Sequence, residues 1–260
     1  MNAMRLLEPG EPDPVRLLRP NGRSEFVLTV DHAGRLLPRR LGDLGLPDSE
    51  LARHIGWDIG IAAVSEQLSA ALDAPAAMQL YSRLVIDCNR GHGVSSSVPV
   101  VSESTPIPGN RNLTQADLAM RREGLFVPYH AAIAGVLDAR LAAGQRTVVV
   151  AMHSFTPAFK GASRPMHVGV LFNRDPRLGR ALLALLRQES GLVCAENEPY
   201  AVSDESDYGI PTYGEQRGLL HVEMEIRQDL ITEPAGQAEW AQRLGRLLPI
   251  AAAAFAQEPA

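Results

Sequence analysis

The sequence predicts an α/β fold: a single three-layer domain whose mostly parallel or mixed central sheet carries helices on both faces. Three observations point there. Short apolar runs alternate with longer stretches of helical periodicity from residue 25 to the end of the chain. The runs TVVVAM (147–152) and MHVGVLF (166–172) are apolar at nearly every position, as strands covered on both faces require. At 260 residues the chain has the length of one large domain, able to bury roughly 70–75 % of the surface its unfolded form exposes.

The elements follow in order. Residues 1–24 are rich in Pro, Gly and Arg without periodicity and read as an irregular lead-in; 25–260 read as the domain. EFVLTVD (25–31) is a first strand, stopped at His32-Ala33-Gly34. Asp48 reads as the N-cap of a helix that restarts near Trp57 and runs to about Leu72. AAMQL and RLVID form a second strand pair, followed by a Gly/Ser/Pro-rich stretch at 91–112 that is long for a connection and reads as a functional or mobile loop. Thr114 and Asp117 have capping-box spacing ahead of a helix to about Ala143, kinked or divided at Pro128. ALLALLRQ (181–188) is a helix between strands, LLHVEMEI (219–226) a last strand, and 235–256 a final helix.

Composition narrows the function classes. A formal charge of −5 argues against a nucleic-acid or anionic-membrane surface, either of which needs a concentrated basic field. The apolar run LLPIAAAAFA (247–256) falls short of the roughly 20 residues a bilayer crossing needs. With two cysteines, Cys88 and Cys194, and an N-terminus lacking an apolar signal core, the expected setting is a reducing cytoplasm. No G-x-G-x-x-G follows the first strand and no G-x-x-x-x-G-K-[ST] occurs, which removes the usual nucleotide signals. Ser154 lacks a G-x-S-x-G elbow, and Lys160 follows no motif.

Ligands of open α/β sheets sit beyond the carboxyl ends of the strands. Four polar clusters stand there: Asp31-His32, Asp87-Asn89-Arg90, His153-Ser154 and Glu225-Arg227. His32 and His153 each follow a strand and could share a zinc site with an open position, or be hydrogen-bonded loop histidines. Asp58 opens the first long helix and is either a third ligand or a first-turn acid favoured by the helix dipole; Asp31 and His54 compete for the ligand role. His92, His130 and His167 read as structural or solvated. In HVEMEIR a period of two puts His221, Glu223, Glu225 and Arg227 on one face, where a Glu could take a proton from a metal-activated water or pair with Arg227. Arg83, Asn89 and Arg90 form either an anion socket or, with Asp87, a structural ion-pair knot.

Taken in order, VLTVDHAG, HIGWDIG, YSRLVIDCNR, HSFTP, ENEPY and VEMEIRQDL resemble the N-formylglutamate amidohydrolase family over roughly residues 26–231. The resemblance implies zinc-dependent hydrolysis of an N-acyl amide on an acidic amino acid, on a phosphorylase/hydrolase-like fold similar to zinc carboxypeptidases and peptidoglycan amidases. It implies His32, Asp58 and His153 as ligands of Zn²⁺, Glu225 rather than Glu223 as base, and Arg83 as the group that polarises the scissile carbonyl. Asn89 and Arg90, with Arg227, would hold the substrate carboxylate. One departure stands out: zinc carboxypeptidases use His-x-x-Glu, whereas Arg35 lies three positions after His32. The acidic ligand must then come from elsewhere, as in peptidoglycan amidases, where it opens the next helix; this favours Asp58. The implied partner is a small N-acyl amino acid. Two alternatives remain, a peptidoglycan or peptide amidase with the same zinc, and a metal-free carboxylate-binding protein.

Overall fold

A computed structural model describes residues 5–91 and 93–256. His92, residues 1–4 of the lead-in and residues 257–260 lie outside the described residues. In chain order the elements are β1 (Val15–Leu18), β2 (Phe26–Val30), α1 (Asp48–Leu51), α2 (Ile61–Leu72), β3 (Ala76–Gln79), β4 (Val101–Ser102), β5 (Thr105–Pro106), α3 (Gln115–Arg121) and α4 (Val127–Ala142). There follow β6 (Val148–Phe155), β7 (Ala158–Phe159), β8 (Ala162–Ser163), β9 (Val168–Leu171), α5 (Arg177–Leu186), β10 (Cys194–Glu196), β11 (Leu220–Arg227) and α6 (Pro234–Ala253).

Seven strands form one mixed sheet in the order β1-β3-β2-β6-β11-β9-β10. The central four, β3, β2, β6 and β11, are parallel; β1 and β9 join antiparallel, and β10 runs parallel to β9. Alternation along each strand sends successive side chains to opposite faces. Phe26, Leu28 and Val30, Val148, Val150 and Met152, and Val222, Met224 and Ile226 meet α2, α5 and α6 on one face. Val27, Ala77 and Val149 meet Tyr129, Ile133 and Leu137 of α4 on the other. Each fully buried Leu, Ile, Val or Phe contributes about 1.5–3 kcal/mol, so these two layers hold the sheet rigid. The helical run Gln115–Ala142 is long and apolar enough to cross a bilayer, yet its Tyr129, Ile133 and Leu137 fill the core instead.

Several elements differ from expectation. The lead-in is not irregular throughout, because VRLL, apolar at Val15, Leu17 and Leu18, adds as an edge strand to β3. RLVID is not a strand. Leu84, Val85 and Ile86 are buried as an apolar run should be, but in a turn closed by a Val85 N–H to Ser82 O bond of 2.9 Å and by Ser82 Oγ accepting from Leu84 N–H. Burial satisfied the apolar pattern without a strand ladder. Asp48 is the first residue of α1, with Pro47 at the N-cap and no side-chain cap bond. Thr114 and Asp117 do form the capping box. The break after it is a π-turn, Arg122–Phe126, which places Pro128 in the first turn of α4, where a residue without an N–H is tolerated. Residues 93–112 are stitched down, for example by Asp87 N–H to Ser97 O at 2.7 Å and Gly109 N–H to Leu44 O at 2.8 Å. Cys88 and Cys194 are free thiols.

Candidate active site

The carboxyl ends of β2, β6 and β11 and the turns after them enclose a cavity of about 290 Å³. His32, Asp58, Arg83, Asn89, Arg90, His153, Glu223 and Glu225 line it. His32 is carried there by the end of β2. Asp58 comes from the turn before α2, outside the helix it was expected to open, and its N–H is tied to His32 O at 3.0 Å. That turn leads into Gly60, at φ +85°, where an added Cβ would lie 2.2 Å from Ile231 O. His153 lies within β6, and β6 pairs in register with β11 so that Glu225 stands directly beside it.

His32, Asp58 and His153 are all buried, and one ligand-capable atom from each lies within 4.8 Å of the other two. Asp58 Oδ2 is 3.4 Å from His32 Nδ1, 3.0 Å from His153 Nδ1 and 3.2 Å from the Ser154 N–H that holds it. A tetrahedral ion with bonds of about 2.0–2.1 Å separates neighbouring donor atoms by about 3.3 Å, so both N···O spacings suit one. The far side of each ring fits as well. His32 Nε2 meets Asp87 Oδ1 at 2.8 Å, and His153 Nε2 lies 3.3 Å from Asp31 Oδ2. At His32 the outer N–H donates to a carboxylate and a lone pair turns inward, the usual support of a metal-ligating histidine, whereas Asp31 lies within charge-pairing distance of His153 without a hydrogen bond to it. Asp31 is therefore placed behind His153 rather than in the ligand position, and Asp87 behind His32.

Charge agrees with this donor set. Asp31, Asp58 and Asp87 surround the two rings with Arg83 as the near cation, 3.4 Å from Asp58 and 2.6 Å from Asp87. With neutral imidazoles, two negative charges are left uncompensated, as a divalent cation would require. Burial opposes a charged His153, but Asp31 and Asp58 outweigh it and raise its pKa well above the usual value. Burial and Arg83 oppose a charged His32, and Asp87 and Asp58 again prevail. Burial pushes the Glu225 carboxyl up to about 7, with His153 opposing and Asp58 adding to the shift. Burial also raises Glu223 well above the carboxylate range, with Asp207 and Glu225 adding to it.

One sequence-predicted residue lies off the cavity lining, and another lines it with its side chain already hydrogen-bonded. Arg227 does not line the cavity: it forks onto Asp229 at 2.8 and 3.2 Å and donates to the carbonyls of residues 164–166. Asn89 reaches the cavity wall, but its Nδ2 donates to Asp207 at 3.0 Å and its Oδ1 accepts the N–H groups of Tyr208 and Gly209, each at 3.0 Å. It brackets the 207–209 segment. Arg90 lines the same wall, and Nη1 donates to Asn89 O at 3.0 Å. Of the histidines set aside, His130 Nδ1 bonds Tyr213 Oη at 2.5 Å and His167 Nδ1 accepts from Val193 N–H, both structural. His54 does line the cavity.

Sequence reasoning missed Ser154 as a brace, its Oγ donating to Ile59 O at 2.9 Å. It quoted Tyr200 within ENEPY without giving it a role, and it missed Ser206 and Asp207 of the cavity wall. The first was adjacent to a histidine already singled out; the others sit in a loop between strands, where no periodicity marks them.

Two imidazoles and a carboxylate converge at parallel strand ends, with Glu225, Arg83 and Arg90 lining the same cavity, an arrangement compatible with a hydrolytic α/β enzyme. The family model described as N-formylglutamate amidohydrolase matches residues 24–232, and the chain belongs to that family, whose members are hydrolases acting on amide bonds. The crystal structure of gene product Atu2144 from Agrobacterium tumefaciens is similar, with 35 % identity over 96 % of this chain and 99 % of that one and a TM-score of 0.93. The N-formylglutamate amidohydrolase of Ralstonia eutropha JMP134 shares the fold, at 22 % identity over 92 % and 97 % of the two chains and a TM-score of 0.69. No curated protein matches the chain.

Proposed function

We propose that this protein is a zinc-dependent amidohydrolase that cleaves the N-acyl amide, above all the N-formyl amide, of an acidic amino acid such as N-formylglutamate. The observation that carries the reading is the convergence of His32, Asp58 and His153 in the cavity that Arg90 and Glu225 also line. His32, Asp58 and His153 would hold the ion. A zinc ion there would supply a Lewis acid that acidifies water and polarises the amide carbonyl. Glu225, which stands beside His153 across the β6–β11 pair, takes the proton the attacking water loses and passes it to the leaving amine. Arg83 donates to the carbonyl oxygen as negative charge gathers on it. Arg90 anchors the substrate carboxylate, and Asn89 keeps the wall around Arg90 in place.

The test is turnover of N-formyl, N-acetyl and N-succinyl amino acids, with a muramoyl peptide alongside, by protein purified without chelator. Hydrolysis of N-formylglutamate with stoichiometric zinc is expected. Glu225→Gln should retain the zinc and lose turnover; full turnover by that variant would remove Glu225 as the base.

A further inference from the structure

The turn that carries Arg83, Asp87, Asn89 and Arg90 has no strand ladder to hold it, and beneath it lies a buried charge the chemistry does not use. Arg121 is 1 % exposed, the bulkiest side chain among the fully buried ones. Burial lowers its pKa to about 10, and the one acid that opposes this, Asp117, is committed to the Thr114 cap. Its guanidinium reaches neutral acceptors: Nη1 donates to Val85 O at 3.0 Å and to Asn110 Oδ1 at 2.7 Å, and Nη2 to Gly109 O at 3.0 Å, while Nε has no partner. Asn110 then donates through Nδ2 to Leu84 O and to Pro99 O, both at 2.8 Å. Two successive carbonyls of the site turn are thus gripped from below. A cation without a carboxylate is a poor way to fill a core, since an apolar side chain of similar volume often stabilises as well or better.

We propose that Arg121, with Asn110, is a positioning residue that fixes the 84–85 backbone, so that Arg83 and Asp87 on either side of it keep their places against Asp58 and His32. The proposal rests on the reading of this cavity as the active site. Arg140 supplies the internal comparison. It too is a buried guanidinium, 5 % exposed, and donates to Thr147 Oγ1 and to the carbonyls of Gly22, Ser24 and Arg146. Those partners lie around the amino ends of the strands, at the edge of the sheet opposite the site. A purely structural role would make the two arginines equivalent.

The experiment compares Arg121→Lys, Arg121→Met and Arg140→Met in the full chain by amide hydrogen exchange of residues 83–90, zinc affinity against a competing chelator, and kcat/KM on N-formylglutamate. For both Arg121 variants we expect at least about tenfold faster exchange in 83–90, about tenfold weaker zinc binding through the disturbed Asp87–His32 contact, and about 100-fold lower kcat/KM. Arg140→Met should lose thermal stability yet leave all three readouts within twofold. Unchanged exchange in 83–90 for Arg121→Lys and Arg121→Met, or equal losses in Arg140→Met, would overturn the proposal. Should Arg121→Met not fold, Arg121→Lys carries the comparison, because one ammonium does not replicate a fork spanning two chain segments. If the unaltered protein hydrolyses no N-acyl amino acid, the functional reading fails, while exchange and zinc affinity still decide the role of Arg121.

Discussion

Replacing Asp87 with Asn isolates the carboxylate that supports His32. Asp87 Oδ1 meets His32 Nε2 at 2.8 Å and accepts the Asn89 N–H at 2.9 Å, while Oδ2 accepts Arg83 Nε at 3.1 Å and Nη2 at 2.6 Å. Donors therefore face both oxygens. An asparagine offers a single acceptor, so its NH₂ must confront either the guanidinium or the imidazole. Facing the imidazole, it forces the proton onto Nδ1, the atom 3.4 Å from Asp58 Oδ2, and the inward lone pair is lost. Facing Arg83, it removes the charge that holds that side chain. Losses at such supporting contacts are typically about 10–100-fold in metal affinity, or about 1.4–2.8 kcal/mol. The assay is zinc binding by competition with a chromophoric chelator. Asp31→Asn serves beside it, and should lose less, because Asp31 lies 3.3 Å from its own histidine. Zinc affinity of Asp87→Asn within twofold of the unaltered protein would refute the claim that Asp87 sets the His32 tautomer.

Other outcomes follow from the same structure. Burial holds His130 at a pKa of about 4, below its ordinary 6.5, so the folded protein keeps it neutral while the unfolded chain takes up a proton below about 6.5. Its contribution is complete above that pH and is lost as pH falls towards 4, by about 2 kcal/mol between pH 8 and 5; denaturant melts of His130→Gln should lack that part of the slope. Arg227→Gln should lower thermal stability but leave KM for N-formylglutamate within twofold; a tenfold rise would restore Arg227 to the substrate site. Leu68, fully buried where α2 meets α6, should lose about 2–5 kcal/mol as Leu68→Ala, a Tm fall of roughly 4–20 °C by calorimetry, with kcat unchanged at temperatures where it is folded.

What could be read in advance depended on whether local pattern decided the outcome. β6 and β11 were legible because apolar or alternating runs of their length have few other uses, and the Thr114–Asp117 cap because its two bonds are local. The turn at 83–90 was not. An apolar triplet is buried equally well in a strand or in a turn, and the carbonyls of this one are bonded by Arg121 and Asn110, 20 to 40 positions away. Likewise, chemistry offered Asn89 as part of an anion socket, and the mechanism drawn from the resemblance added Arg227, since an amide or guanidinium beside a strand end can serve that purpose. Their spending on Tyr208, Gly209 and Asp229 depends on where distant loops pass. His32 and His153 came together because the parallel order β2-β6 brings both strand ends to one edge, which alternation of elements already implied.

The burial of Asp31, Asp58 and Asp87 bears most directly on why the sheet edge has this form. Ionised carboxylates without water or counter-charge are among the costliest groups to bury, and Arg83 reaches Asp58 and Asp87 but not Asp31. A fold that needed only stability would replace them with apolar side chains. Here Asp87 and Asp31 stand at the outer nitrogens of the two imidazoles, which leaves the inner nitrogens directed at Asp58. Like donors aimed at a common point repel unless a cation or protons lie between them. The proton is the weaker answer, because it satisfies one donor pair at a time. A divalent ion, as proposed above, would satisfy His32, Asp58 and His153 at once and would offset the cost of burying the carboxylates around them.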